Sequence, residues 1–231
     1  MPDISSPDFW VAVMQIIAID IVLSGDNAVV IALACRNLPA EQRRLGIFWG
    51  VAGAVGLRVV LTAFAAGLLG FPYLKLVGGA LLLWIGVKLL LPEDEGDHEM
   101  EASQHLWGAV KTIIVADFVM SLDNVIAVAA ASRDSIFLLL FGLAVSIPLI
   151  VWSSQIILHF MERYPVIVTL GAGLLGYVAG GMIVSDVAVK EFALAQVPGV
   201  KVLAGAIGAI FVVGCGLWLA RRKRPREYPL V

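Results

Sequence analysis

The sequence predicts an all-α membrane protein of seven transmembrane helices, arranged as two inverted three-helix repeats plus one extra C-terminal helix. Two observations predict the class. Of the 231 residues, 60% are hydrophobic and only 15% charged, with a mean hydropathy of +0.95, which lies outside the range of soluble globular domains. Apolar runs near the roughly 20 residues that a helix needs to cross the hydrocarbon core recur at 9–35, 45–70, 73–91, 106–131, 135–160, 165–186 and 200–220. A third observation predicts the arrangement: the first and fourth runs carry the same polar pattern, Asp, five residues, Asp-Asn, with a Ser two before the second Asp.

Taken in order, the segment before the first run holds Asp3 and Asp8 but no Lys or Arg. It lacks the basic n-region of a cleavable signal peptide, so 9–35 is expected to remain as a span. The third and fourth spans are joined by PEDEGDHEMEASQH, Pro92 to His105, an acidic loop whose His98 and His105 suit either a solvated linker or capture of metal at a mouth. Pro148 predicts a kink in the fifth span. The nearby Ser146, Ser153, Ser154 and Gln155 either line a polar path or bond neighbouring helices. Gly176-x-x-x-Gly180 in the sixth predicts close helix packing. The basic tail 221–231, opening RRKRPR, reads as a topology determinant lying against anionic lipid. Cys35 and Cys215 are too few for a disulfide framework and read as buried small hydrophobes.

One integral membrane domain thus covers 1–231: repeat 1 over about 9–91, the acidic loop 92–105, repeat 2 over about 106–186, and the seventh helix over about 200–220. The repeat extends beyond the polar motif. Asp20 maps to Asp117, Gly50 to Gly142, Phe71-Pro72 to Tyr164-Pro165, Gly78 to Gly171 and Trp84 to Tyr177. Because three spans is an odd number, the second copy enters the membrane inverted, the plan of many secondary transporters. Lys and Arg in short loops stay cytoplasmic. Placing the tail inside also places Arg36, Arg43, Arg44, Lys88 and Arg163 inside, against Arg133, Lys190 and Lys201 outside. The N-terminus is therefore expected outside and the C-terminus in the cytoplasm.

The polar motifs carry the chemistry. In the first copy they are Asp20, Ser24, Asp26 and Asn27; in the second, Asp117, Ser121, Asp123 and Asn124. Four carboxylates at the centre of spans would cost roughly 10–14 kcal/mol if independent and lipid-facing, so they are expected to face one another or a ligand. Asp and Asn oxygens with Ser hydroxyls nearby are hard donors suited to Mn²⁺, Mg²⁺ or Ca²⁺, and the motifs lack the His and Cys that Zn²⁺ or Cu⁺ favours. Asp20 and Asp26, six apart, sit about 120° and 9 Å apart on an ideal helix. They share an ion only if Gly25 lets the helix unwind; otherwise one Asp per repeat forms a central site and the other serves as gate or proton carrier. Arg58, matched by apolar Ile150 in the second copy, is the asymmetric intramembrane charge. It is expected to pair with the unloaded carboxylates rather than snorkel to an interface.

DIVLSGDNAVVIAL at Asp20 to Leu33 and DFVMSLDNVIAVAA at Asp117 to Ala130 resemble the TerC family of integral membrane proteins, in particular its short, seven-span bacterial members. The resemblance covers essentially the whole chain in span number and repeat order. It implies a metal-handling protein of the bacterial inner membrane, with manganese efflux as the family activity. It also implies a metal site of Asp20, Asp26, Asp117 and Asp123 with Asn27 and Asn124 beside them; Ser24, Ser121 and Arg58 are supporting residues. The chain is also distantly similar to other two-repeat cation exporters with an acidic Gly-Asp motif in the first span of each repeat.

The expected function is export of a divalent cation, manganese first, coupled to protons. No tightly bound cofactor and no nucleic-acid partner are expected; the partners are the transported ion and membrane lipid. An intramembrane aspartyl protease also places two Asp in spans, but four Asp in symmetric pairs fit ion coordination better, so no enzyme is expected. The alternative is a membrane scaffold or metallochaperone serving exported or membrane proteins.

Overall fold

A computed structural model of the chain describes residues 7–64, 71–91, 102–131, 136–196 and 199–223. Among them there is no strand. The helices are α1 (Pro7–Cys35), α2 (Ala40–Ala63), α3 (Leu74–Leu90), α4 (Ala102–Ala131), α5 (Ile136–Arg163), α6 (Pro165–Val184), α7 (Val187–Gln196) and α8 (Val200–Lys223). Each of the apolar runs carries one helix, and α7 is an addition that hydropathy does not reveal. Among the described residues, five segments are long and apolar enough to cross a membrane: Ala40–Thr62, His105–Leu122, Leu140–Arg163, Pro165–Val184 and Val200–Arg222. The acidic segment 92–101 with His98, and the tail beyond 223, lie outside the described residues.

Local chemistry sets several boundaries. Pro39 is the N-cap of α2 and Glu41 lies in its first turn, where a negative charge suits the helix dipole, so α2 starts before the apolar run at 45. Pro165 occupies the first turn of α6, where its missing N–H costs no intrahelical bond. α1 continues unbroken through Gly25, where an added Cβ would meet nothing within 4 Å, so the unwinding that Gly25 permits is absent. Ser146, Ser153 and Ser154 donate to carbonyls of their own helix, at Gly142, Ile150 and Val151. Among the described residues, these hydroxyls make no bond to a neighbouring helix.

The largest interfaces join α6 to α8, α2 to α4, α1 to α5 and α3 to α6, and α1 also crosses α4. The helices are apolar on most faces, so small residues decide where backbones approach. A Cβ on Gly176 would lie 2.4 Å from Gly208 O, and one on Gly180 would lie 2.0 Å from Ala204 O. Val30, Leu33, Leu82, Val119, Leu175 and Met182 belong to the central core where α1, α3, α4 and α6 meet. Large apolar side chains such as Phe48, Trp152 and Ile210 stand outward, the surface a bilayer covers.

Asp186, beyond the end of α6 and fully buried, ties two helices. Its Oδ1 accepts from Tyr73 N at 2.9 Å and Ala188 N at 2.8 Å, and its Oδ2 from Lys75 N at 3.0 Å and Leu76 N at 3.1 Å. One carboxylate therefore caps the start of both α3 and α7, and steadies Tyr73 in the left-handed region at φ 68°. Burial pushes its carboxyl up, but the bonds from Ala188, Tyr73, Leu76 and Lys75 outweigh burial and hold it below the ordinary value. A depressed carboxyl stabilises the fold above its unfolded pKa of about 3.9, and that contribution fades as pH falls through the lowered value. Asp186→Ala is expected to cost about 0.5–2 kcal/mol for each of its two caps and to lessen acid sensitivity. Thermal unfolding in detergent at neutral and acidic pH measures both effects.

Candidate metal centre

The crossing of α1 with α4, flanked by α2, gathers the described part of the polar motifs. Asp117 sits halfway along α4 and is 6% exposed. An ionised carboxylate there needs donors on both oxygens, and three helices supply them. Asp117 Oδ1 accepts from Arg58 Nη2 at 2.7 Å and from Asn27 Nδ2 at 2.8 Å. Oδ2 accepts from Ser121 Oγ at 3.2 Å, one turn on along α4, and Arg58 Nε donates to the same hydroxyl at 3.3 Å. The ion pair is thus buried and anchored on a serine, the form in which a buried charge pair is tolerated.

Arg58 stands in the last third of α2 (Ala40–Ala63). It is nonetheless 3% exposed, so its guanidinium turns inward to carboxylate and not outward to an interface. Asp26 is partly buried, its Oδ1 accepts from Asn27 N at 2.9 Å, and it lies within electrostatic reach of both Asp117 and Arg58. Asn27 is buried, and its Oδ1 has no hydrogen-bond donor among the described residues. An amide that gives its NH₂ to a carboxylate while its oxygen goes unmet is a half-satisfied ligand.

The structure therefore brings together Asp26, Asn27, Asp117, Ser121 and Arg58. The side chains of Asp20, Ser24, Asp123 and Asn124 lie outside the described residues, although their backbones belong to α1 and α4. Among the described residues no three His, Cys, Asp or Glu converge in a way that would hold a metal ion; the described part of the site offers two carboxylates. On an unbroken α1, Asp20 and Asp26 keep the separation of about 9 Å that ideal geometry gives six residues. Asp186 is the polar residue that sequence reading missed. Three of its described partners are backbone N–H groups more than a hundred positions away, and no spacing rule reveals them.

The chain matches the family described as "Integral membrane protein TerC family" over residues 5–224, a span that includes both motifs and every described helix. The chain belongs to the TerC family. It is 43% identical over 206 residues to "Uncharacterized membrane protein YjbE" of Bacillus subtilis, covering 89% of this chain and 94% of that protein. It is 27% identical over 190 residues to "UPF0053 inner membrane protein YgdQ" of Escherichia coli K12, covering 74% of this chain and 79% of the relative. No solved structure gives a significant match. Within this TerC family chain, the described hydrogen bond between α1 and α4 runs from Asn27 of the first motif to Asp117 of the second.

Proposed function

We propose that this TerC family protein is a divalent metal cation transporter, with manganese efflux coupled to inward protons through its intramembrane aspartates. The observation that carries the reading is the half-satisfied Asn27 amide beside Asp117 and Asp26, hard oxygen donors gathered where the first helices of the two repeats cross. Export of two charges against an inside-negative potential costs about 4.6 kcal/mol per 100 mV, so coupling is required. A carboxylate that exchanges metal for proton supplies it, and the sequence holds no phosphate-binding loop.

The membrane plan under this reading is seven spans, α1 to α6 as two inverted repeats and α8 outside them. Its support is a pattern of pairings that survives exchange of the halves. α1 packs on α5 as α4 packs on α2. The shift that carries Gly78 to Gly171 also exchanges two backbone approaches, Gly86 to Ala172 O and Gly79 to Ala179 O. The N-terminus lies outside and the C-terminus in the cytoplasm of the inner membrane. Three helix ends carry cation–π pairs, Lys88 on Trp84, Arg163 on Tyr164 and Arg222 on Trp218. Each stands at a helix end assigned to the cytoplasmic interface, where such anchors belong.

The Asp26→Asn, Asp123→Asn double variant keeps oxygen donors but loses charge and proton. It is expected to accumulate in the membrane and to abolish manganese resistance in cells that depend on this protein. Wild-type resistance from the double variant at equal abundance would refute the site.

A further inference from the structure

The metal reading leaves one group of the site without a role, a permanent cation at its centre. Arg58 keeps its charge at any physiological pH. Its Nη2 and the Asn27 amide both occupy Asp117 Oδ1, at 2.7 and 2.8 Å, in the directions from which a divalent cation would be coordinated. Two donors already fill the lone pairs of Oδ1, so a hard cation that takes this oxygen at about 2.0–2.6 Å displaces one of them, and in a low-dielectric site the repulsion of like charges makes the guanidinium the one to leave.

The anchors on the guanidinium are separable from the helix that bears it. Its described contacts run to Asp117 and Ser121, one turn of α4, while the Arg58 backbone is engaged separately, its carbonyl accepting from Thr62 Oγ1 at 2.8 Å. Leaving Asp117 breaks, among the described contacts, bonds to this one turn of α4 and not the bond from Thr62. Asn27, released from the shared oxygen, is then free to turn its unmet Oδ1 toward the ion.

We propose that Arg58 is a tethered counter-ion that competes with the transported metal for Asp117: seated in the unloaded site, displaced when the divalent cation binds, and returned when it leaves. The proposal rests on the reading of this site as a metal site. Its consequence is that Asp117 never stands bare in the membrane. Affinity is held down and release is quickened by the returning guanidinium, which suits a carrier that must let its cargo go.

The test is Mn²⁺ titration of the purified full chain in lipid nanodiscs, at fixed pH, with transport kinetics in parallel. Arg58→Gln is expected to bind Mn²⁺ at least about fivefold more tightly than wild type, the lower end of ordinary coupling between two ligands, with KM and kcat both reduced. Arg58→Lys, which keeps charge but loses the planar fork, falls between. Ser121→Ala removes the anchor of Arg58 Nε and leaves both carboxylates, so it should also tighten binding; a serine that merely ligated the metal would weaken it when removed. Should Arg58→Gln not accumulate, the opposite signs expected for Ser121→Ala decide alone. Wild-type binding of Mn²⁺ with no tightening in any of these variants overturns the counter-ion and leaves the metal site standing. No binding by wild type, or binding unaltered by Asp26→Asn, removes the metal site and this proposal with it.

Discussion

Asp117→Ala is expected to destabilise the protein by about 3–5 kcal/mol, the cost of removing one partner from a buried ion pair. The effect exceeds that at any other motif residue described because Arg58, 3% exposed and bonded to Asp117 at 2.7 Å, would lose this buried carboxylate partner. Asn27 Nδ2 and Ser121 Oγ would lose their acceptor as well. Replacing both charges with apolar groups removes that penalty, since a buried pair exchanged for packed hydrophobes is often neutral or stabilising. The Arg58→Met, Asp117→Leu double variant should therefore recover membrane abundance and unfolding temperature while transporting nothing. Unfolding in detergent, followed by intrinsic fluorescence, measures the series. A single Asp117→Ala variant as stable as wild type would mean that the pair is not closed in the membrane.

The second large effect is expected at the crossing of α6 and α8. A Cβ at Gly180 would sit 2.0 Å from Ala204 O and 2.6 Å from its carbonyl carbon, backbone atoms that cannot rotate aside. Gly180→Ala must therefore push the helices apart. Overpacking costs about 1–3 kcal/mol in well-packed cores, and Gly176→Ala beside it, 2.4 Å from Gly208 O, adds to the same displacement. Gly214→Ala on α8 meets open space and should change nothing. A disulfide between Gly173→Cys and Val213→Cys, positions in contact across the interface, reports the approach directly. It should form readily in the Gly214→Ala background and poorly in the Gly176→Ala, Gly180→Ala background.

What could be read ahead of the structure divides along physical lines. Hydropathy located the helices because the bilayer demands a minimum apolar length, and it missed α7, whose ten residues fall below that length. The charged motifs stood out because carboxylates are rare at such depth, and Arg58 drew attention for the same reason. That Arg58 meets Asp117 of the other repeat was legible only as an expectation that opposite charges pair. Which helices adjoin was not legible at all. In a soluble helix the polar stripe marks the outer face, but here outward Ile210 and inward Leu33 are equally apolar. Gly176-x-x-x-Gly180 marked one side of a close crossing, and its partners Ala204 and Gly208 form a matching small-x-x-x-small pattern, but neither pattern says which other it meets.

The central claim, that the aspartates move a divalent cation against protons, is tested most directly by the purified protein in inside-out vesicles. With an imposed acidic lumen, Mn²⁺ uptake should be driven by the wild type, should slow when the gradient is collapsed, and should be lost in Asp26→Ala. Uptake by wild type no faster than by Asp26→Ala, at equal incorporation, would contradict transport and favour a membrane scaffold or metallochaperone in its place.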